Sequence, residues 1–226
     1  MDKPSLISLC NEALLLVNKA EISDLFSTDQ SMAAKACKLL LPRTLMAIFS
    51  SYPWMFATTY LLVDPTVDHQ NDSDDPDWNY RKKYPYRYEW LLPEDCARFI
   101  TAFREDWIPI RASQAEQASP VAYASSSKVL DSKSSSSSIW SNYSAIAYSY
   151  VRYNEDPEHW PAYFCDAVVL DLALRLSKYF VDSLQYTSML LPQLRNQLEM
   201  AKAEDAQQQY FSSYRPFPLK AMTRSF

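Results

Sequence analysis

Apolar residues recur at helical spacing near both ends of the chain and alternate only in the middle. Leu6, Leu9, Cys10, Ala13, Leu16 and Val17 share one face, so the pattern predicts a first helix over 5–19. Ser27-Thr28-Asp29-Gln30 reads as a capping box opening a second helix that runs to about Ser51, with Ala33, Cys37, Leu40, Leu41, Thr44, Leu45 and Ile48 turned inward. Pro42 removes one backbone donor from that run and is expected to kink it, and Pro53 to stop it. From Trp54 to about Arg152, short aromatic and β-branched runs replace the helical period. They predict antiparallel strands at 55–63, 86–92, 121–123, 128–130 and 145–153.

Pro93-Glu94-Asp95 is expected to open a short helix, with the two acids at the positive end of its dipole and within reach of Arg98. Asp156-Pro157-Glu158 combines a cap, a proline and an acid, and predicts a third long helix over about 158–180. That helix is apolar on nearly every side between Phe164 and Leu176, so it should be the most buried element, with Asp171 and Arg175 paired four residues apart. A fourth helix over 187–210 carries Leu191, Leu194, Leu198, Ala201 and Asp205 on one side, a spacing suited to antiparallel packing on its neighbour. The expected fold is α+β. A helical bundle of four principal helices comes from both chain ends (1–53 and 154–210), with a small antiparallel β region inserted at 54–153 and an extended C-terminal arm at 211–226.

Composition narrows the functions this fold serves. With 226 residues, 48% of them hydrophobic, the chain is large enough for a substantial core. Glycine is absent, where average usage predicts about 16. That absence excludes a phosphate-cradling loop, a Gly-rich dinucleotide turn, a strained nucleophile elbow and a standard EF-hand turn. A net charge of −5 argues against binding nucleic acid through phosphate contacts. Cys10, Cys37, Cys96 and Cys165 form no C-x-x-C pair and read as buried free thiols in a reducing compartment. The N-terminus lacks the signature of a signal peptide, and no stretch of 18 apolar residues occurs. The expectation is a protein that is soluble and intracellular when made, with no membrane partner.

Candidate chemistry is sparse. Asp64, Asp68, Asp72, Asp74, Asp75 and Asp77 crowd around His69 and Asn71. The loop lacks the glycine a calcium site wants, so it reads as a solvated acidic loop, and Arg81, Lys82, Lys83 and Arg87 after it neutralise either this loop or a neighbouring subunit. His69 and His159 have no ligand partner at metal spacing. Glu94/Asp95 and Glu155/Asp156 read as helix-start chemistry rather than as a catalytic pair. Nine serines over 125–138 read as loop or hairpin tips. No catalytic, cofactor-binding or metal-ligating residue is assigned, and no enzyme is expected.

The last segment is different in character. Phe211, Tyr214, Phe217, Leu219, Met222 and Phe226 are interspersed with Arg215, Lys220 and Arg224, with two prolines and no acid. A segment this apolar and proline-broken suits either a tail folded over its own subunit or an arm that anchors elsewhere by aromatic and arginine side chains.

The block from Tyr52-Pro53-Trp54-Met55-Phe56-Ala57 to Tyr86-Arg87-Tyr88-Glu89-Trp90-Leu91-Leu92-Pro93-Glu94-Asp95-Cys96-Ala97-Arg98 resembles tail tubular protein A of short-tailed phages. The likeness continues on both sides. Ahead of the block it includes Ala13-Leu14, Ile22-Ser23-Asp24-Leu25, Ala33, Cys37, Arg43 and Leu45. Beyond it come Tyr150-Val151, Asp156, Pro161, Phe164, Ala167-Val168, Leu172-Ala173, Ala201 and Asp205-Ala206. In that family a glycine usually ends the first helix, and Asn18 falls near its place here; asparagine is the next-best left-handed cap. The resemblance implies a head-to-tail adaptor of the virion: a ring of twelve subunits between the portal and the tail nozzle, with a channel through which DNA passes unbound, and with 211–226 reaching the portal. Another virion completion or terminator protein, or a small hydrolase using Glu or Asp, would be the alternatives.

Overall fold

Four α-helices and small antiparallel sheets make up the residues that the computed structural model describes: 4–25, 31–68, 87–103, 122–129, 135–180 and 184–212. They form two compact units, one from residues 1–57 with 154–226 and the other from 58–153.

In the first unit, α1 (Leu6–Leu16) opens with Ser5 and Ser8 exchanging side-chain bonds to each other's backbone N–H. It closes at Asn18, whose φ of 55° makes it the one non-glycine residue of positive φ among the described residues. There Lys19 N–H donates to the Leu14 carbonyl and Asn18 N–H to that of Leu15, a left-handed cap satisfying two terminal acceptors. The expected box at 27–30 lies outside the described residues; α2 (Met32–Ser51) is capped instead by Ser31, which accepts from Ala34 N–H. Pro42 sits inside α2, which nevertheless continues to Ser51 before Tyr52 turns extended.

The third long helix starts later than expected. Asp156 does accept from Glu158 N–H, but it caps only a 3-10 turn, Pro157–His159. Trp160 precedes Pro161 and is held extended (φ −86°, ψ 136°) because the proline ring disfavours helical geometry there. Helix α3 (Ala162–Phe180) therefore begins after Pro161, with Asp171 and Arg175 paired at 2.8 Å as their spacing predicts. Helix α4 (Leu184–Ser212) is longer than expected at both ends and takes Phe211 out of the arm into a helical turn. Helices α1, α2 and α4 each pack against α3. The start of α3 meets the far half of α4, through Tyr163 with Asp205 and Gln197, so the two run antiparallel.

The second unit holds two antiparallel sheets built from β1 (Thr58–Val63), β2 (Val67–Asp68), β3 (Tyr88–Leu91), β4 (Cys96–Phe103), β5 (Ala122–Val129), β6 (Ser135–Ser141) and β7 (Ile146–Arg152). One sheet has the order β1-β7-β4 and the other β2-β3-β6-β5. Trp90, Leu92, Ala102, Ile139, Ile146, Tyr148 and Tyr150 form their shared core.

Three expectations are corrected here. No helix follows Pro93: Glu94 and Asp95 make a turn, and Cys96 enters β4 beside β7. Asp95 is used across the sheet rather than along a helix. Its carboxylate accepts from Arg152 Nε at 2.7 Å and from the Tyr150 hydroxyl at 3.3 Å, and its carbonyl accepts from Tyr153 N–H at 2.6 Å. Residues 55–57 are a 3-10 turn, with Trp54 fully buried, and belong to the helical unit. The serine-rich stretch supplies hairpin arms, since β5 spans both short strands expected at 121–123 and 128–130 and pairs with β6 across a register shift.

Candidate functional site

The strongest polar construction among the described residues lies in the last third of α4. Asp205 is 0% exposed, and both of its oxygens are occupied. Oδ2 accepts from Met55 N–H at 2.9 Å and Oδ1 from the Tyr163 hydroxyl at 2.8 Å. One carboxylate thus joins the 3-10 turn after α2, the start of α3 and the last third of α4. Burial pushes the Asp205 carboxyl above its ordinary value, opposed by the two donors. Burial likewise raises Tyr163, helped by the adjacent carboxylate.

Aromatic rings surround this brace. Trp54 stacks on Tyr163 with centroids 6.3 Å apart and meets Phe164 edge-on at 5.3 Å. Phe49 touches Phe164 at 4.7 Å and Trp160 at 5.8 Å. Such pairs contribute about 0.5–1.5 kcal/mol each beyond their buried area. Trp54 also donates from Nε1 to the Ile48 carbonyl at 2.8 Å, which fixes the chain as it leaves α2. The construction immobilises α4 two turns before its end. With each oxygen accepting one of these bonds and the side chain buried, Asp205 acts as a joint between the three segments.

The arm residues named from sequence fall mainly outside this description. Phe211 lies in the last turn of α4, while Tyr214, Arg215, Phe217, Leu219, Lys220, Met222, Arg224 and Phe226 lie outside the described residues. Spacing places Asp205 on the packed side of its helix, but its partners Met55 and Tyr163 carry no sequence signal, lying 150 and 42 residues away.

The other candidates are engaged structurally. Arg87 forms a two-pronged bond to Asp68, at 3.0 and 2.9 Å, and lies over the Tyr88 ring, so part of the acidic loop and basic cluster do neutralise each other. His69, Asp72, Asp74, Asp75, Asp77, Arg81, Lys82 and Lys83 lie outside the described residues. His159 is exposed and bonded to Asp156 at 2.9 Å. No group of three or more His, Cys, Asp or Glu residues is placed to hold a metal among the described residues. All four cysteines are free. Burial raises the Cys96 and Cys165 thiols to about 11, and a hydrogen bond with Cys37 together with burial raises Cys10. No helix among the described residues is long and apolar enough to cross a membrane.

Set beside known protein families and curated proteins, the chain matches no family profile and no curated sequence.

Proposed function

We propose that this chain is a structural virion protein, a head-to-tail adaptor of the tail tubular protein A kind found in short-tailed phages. Twelve copies form a ring that joins the portal to the tail nozzle and leaves a channel for DNA, which passes without specific binding. The helices form a bundle that shapes the ring, and the segment after α4 is the portal-reaching arm. Residence is the head-tail junction of the virion, and the host cytoplasm during assembly. Its action is geometric, with no turnover and no cofactor.

The observation that carries this reading is the ordered likeness running from Ala13-Leu14 to Asp205-Ala206. Asn18 supports it, because it adopts the left-handed conformation at the place where the family uses glycine. The Asp205 joint supports the role given to the arm: it anchors α4 two turns before the basic, aromatic segment begins in sequence. Heterologous contacts, two different faces repeated until the rotation closes, are what a ring demands.

Co-sedimentation with the purified portal ring of the same genome tests the reading, comparing the full chain with one ending at Ser212. Stoichiometric binding by the full chain and its loss on truncation are the expected results. Failure of the full chain to bind portal would overturn the adaptor role.

A further inference from the structure

The outward side of α2 carries an apolar ridge set among cations. Met32, Leu39 and Met46 recur every seven residues and are 60%, 57% and 41% exposed. At about 1.5 Å rise per residue the ridge runs roughly 21 Å. Lys35, Lys38 and Arg43 are exposed on the same side; α2 contains no acid, and none of the three has an ion pair among the described residues. Exposed apolar side chains aligned along one helix line mark a candidate docking surface, and charges beside them select the partner. The partner must therefore offer apolar groups and carboxylates together. The chain's own 213–226 segment has three cations and no acid, so like charge excludes it.

A face of that chemistry exists on the same molecule. Met189 and Met200 on α4 are 48% and 51% exposed, with Ala203 beside Met200 also exposed. Glu199 and Glu204 flank Met200, and Gln197, one turn earlier, reaches Asp166 of α3 at 3.5 Å. Glu158, exposed, stands on the turn leading into α3. The cations of this stretch are Arg195 and Lys202, and Lys202 is already bonded to Glu199 at 2.8 Å. Because α2 and α4 are separate helices that each pack on α3, joining their outer faces links two copies by unlike surfaces. That arrangement leaves one of each face open for the next copy.

We propose that the Met32–Leu39–Met46 ridge of one copy docks on the Met200 face of a second copy, with Lys35, Lys38 and Arg43 meeting Glu158, Asp166, Glu199 and Glu204. The contact deepens the ring reading and rests on it.

Two charge-reversed full-length variants test the pairing by sedimentation velocity, with circular dichroism verifying that each keeps its helices. One carries Lys35→Glu, Lys38→Glu and Arg43→Glu; the other carries Asp166→Lys, Glu199→Lys and Glu204→Lys. Each alone should associate at least about tenfold more weakly than the unmodified chain, by a margin that narrows as salt is raised. An equimolar mixture should regain association, because each variant supplies the face that the other now complements.

Variants that assemble alone as well as the unmodified chain, or a mixture that stays dissociated, overturn this contact and leave the ring reading standing. An unmodified chain that stays monomeric both with and without portal rings removes the ring reading and the contact with it. If the first variant loses binding to portal or to a duplex DNA probe while self-association is unchanged, the ridge belongs to that partner and the second-copy proposal falls.

Discussion

Asp205 gathers three segments at one carboxylate, and its pH behaviour follows from that position. Because burial raises its pKa above the ordinary Asp value, the folded protein retains a proton that the unfolded chain has already released between the two values. Within that window stability increases as pH falls. Asp205→Asn should remove this contribution, so urea midpoints of the variant measured across the acidic range should lack the rise seen in the parent; identical profiles would contradict the account. Asp205→Ala strands the Met55 N–H and the Tyr163 hydroxyl, at about 1–3 kcal/mol for each orphaned group. Asn18 gives a second residue-scale expectation. Its φ of 55° favours glycine, so Asn18→Gly should stabilise by about 0.5–1 kcal/mol and Asn18→Val should destabilise by about 1–2 kcal/mol, both read from denaturant unfolding. Asn18 was marked only by the resembled family's glycine near its place, because the hydrophobic period alone carried the first helix on to 19. The Asp205 joint was readable only as an acid on a packed helical side, since its donors come from distant parts of the chain.

At the scale of elements, the long helices followed their hydrophobic period closely, while starts and strands depended on context. Pro-Glu-Asp at 93–95 and Asp-Pro-Glu at 156–158 look alike as helix openings. The first becomes a turn because Cys96 to Phe103 finds β7 beside it, and the second yields a 3-10 turn because Pro161 follows within a few residues. The serine-rich arms carried no apolar alternation to reveal them as strands, yet Ser138 and Ser141 of β6 are buried, Ser138 accepting from Trp140 Nε1 and Ser141 from Tyr143 N–H. Small hydroxyl side chains fit a sheet interior when such donors are near. Helix α2 offers a direct test of proline's cost: Pro42 is exposed and leaves the Lys38 carbonyl without its helical donor. Pro42→Ala should restore that bond and stabilise by about 1–3 kcal/mol, visible as a raised melting temperature; an unchanged or lowered one would show that the helix depends on the interruption.

For the whole molecule, the sequence indicated a β region inserted into a helical frame but left its edge and its surfaces open. The ridge on α2 shows why: the helical period turned Leu40 inward and left Leu39 off the packed face, but only the packed helix shows Leu39 exposed in line with Met32 and Met46. Thr58 and Val151 are register partners in β1 and β7, about 5 Å apart, and Tyr153 follows only two residues on, so the two ends of the insertion lie within about 10 Å of each other. A chain in which 58–153 is replaced by a short linker between Ala57 and Asn154 should therefore keep its far-ultraviolet helical signal and melt cooperatively; collapse of that signal would mean the helical unit depends on the insertion.

The same adjacency has a mechanical side. Since both connections to the helical unit leave from one end of an antiparallel ladder, a pull that draws Ala57 and Asn154 apart loads the Thr58–Val151 rung together with the bonds from Tyr153 and Arg152 to Asp95, and the remaining rungs only in succession. Under such a pull β1 parts from β7 like a zip, one rung at a time, rather than by shearing all six together.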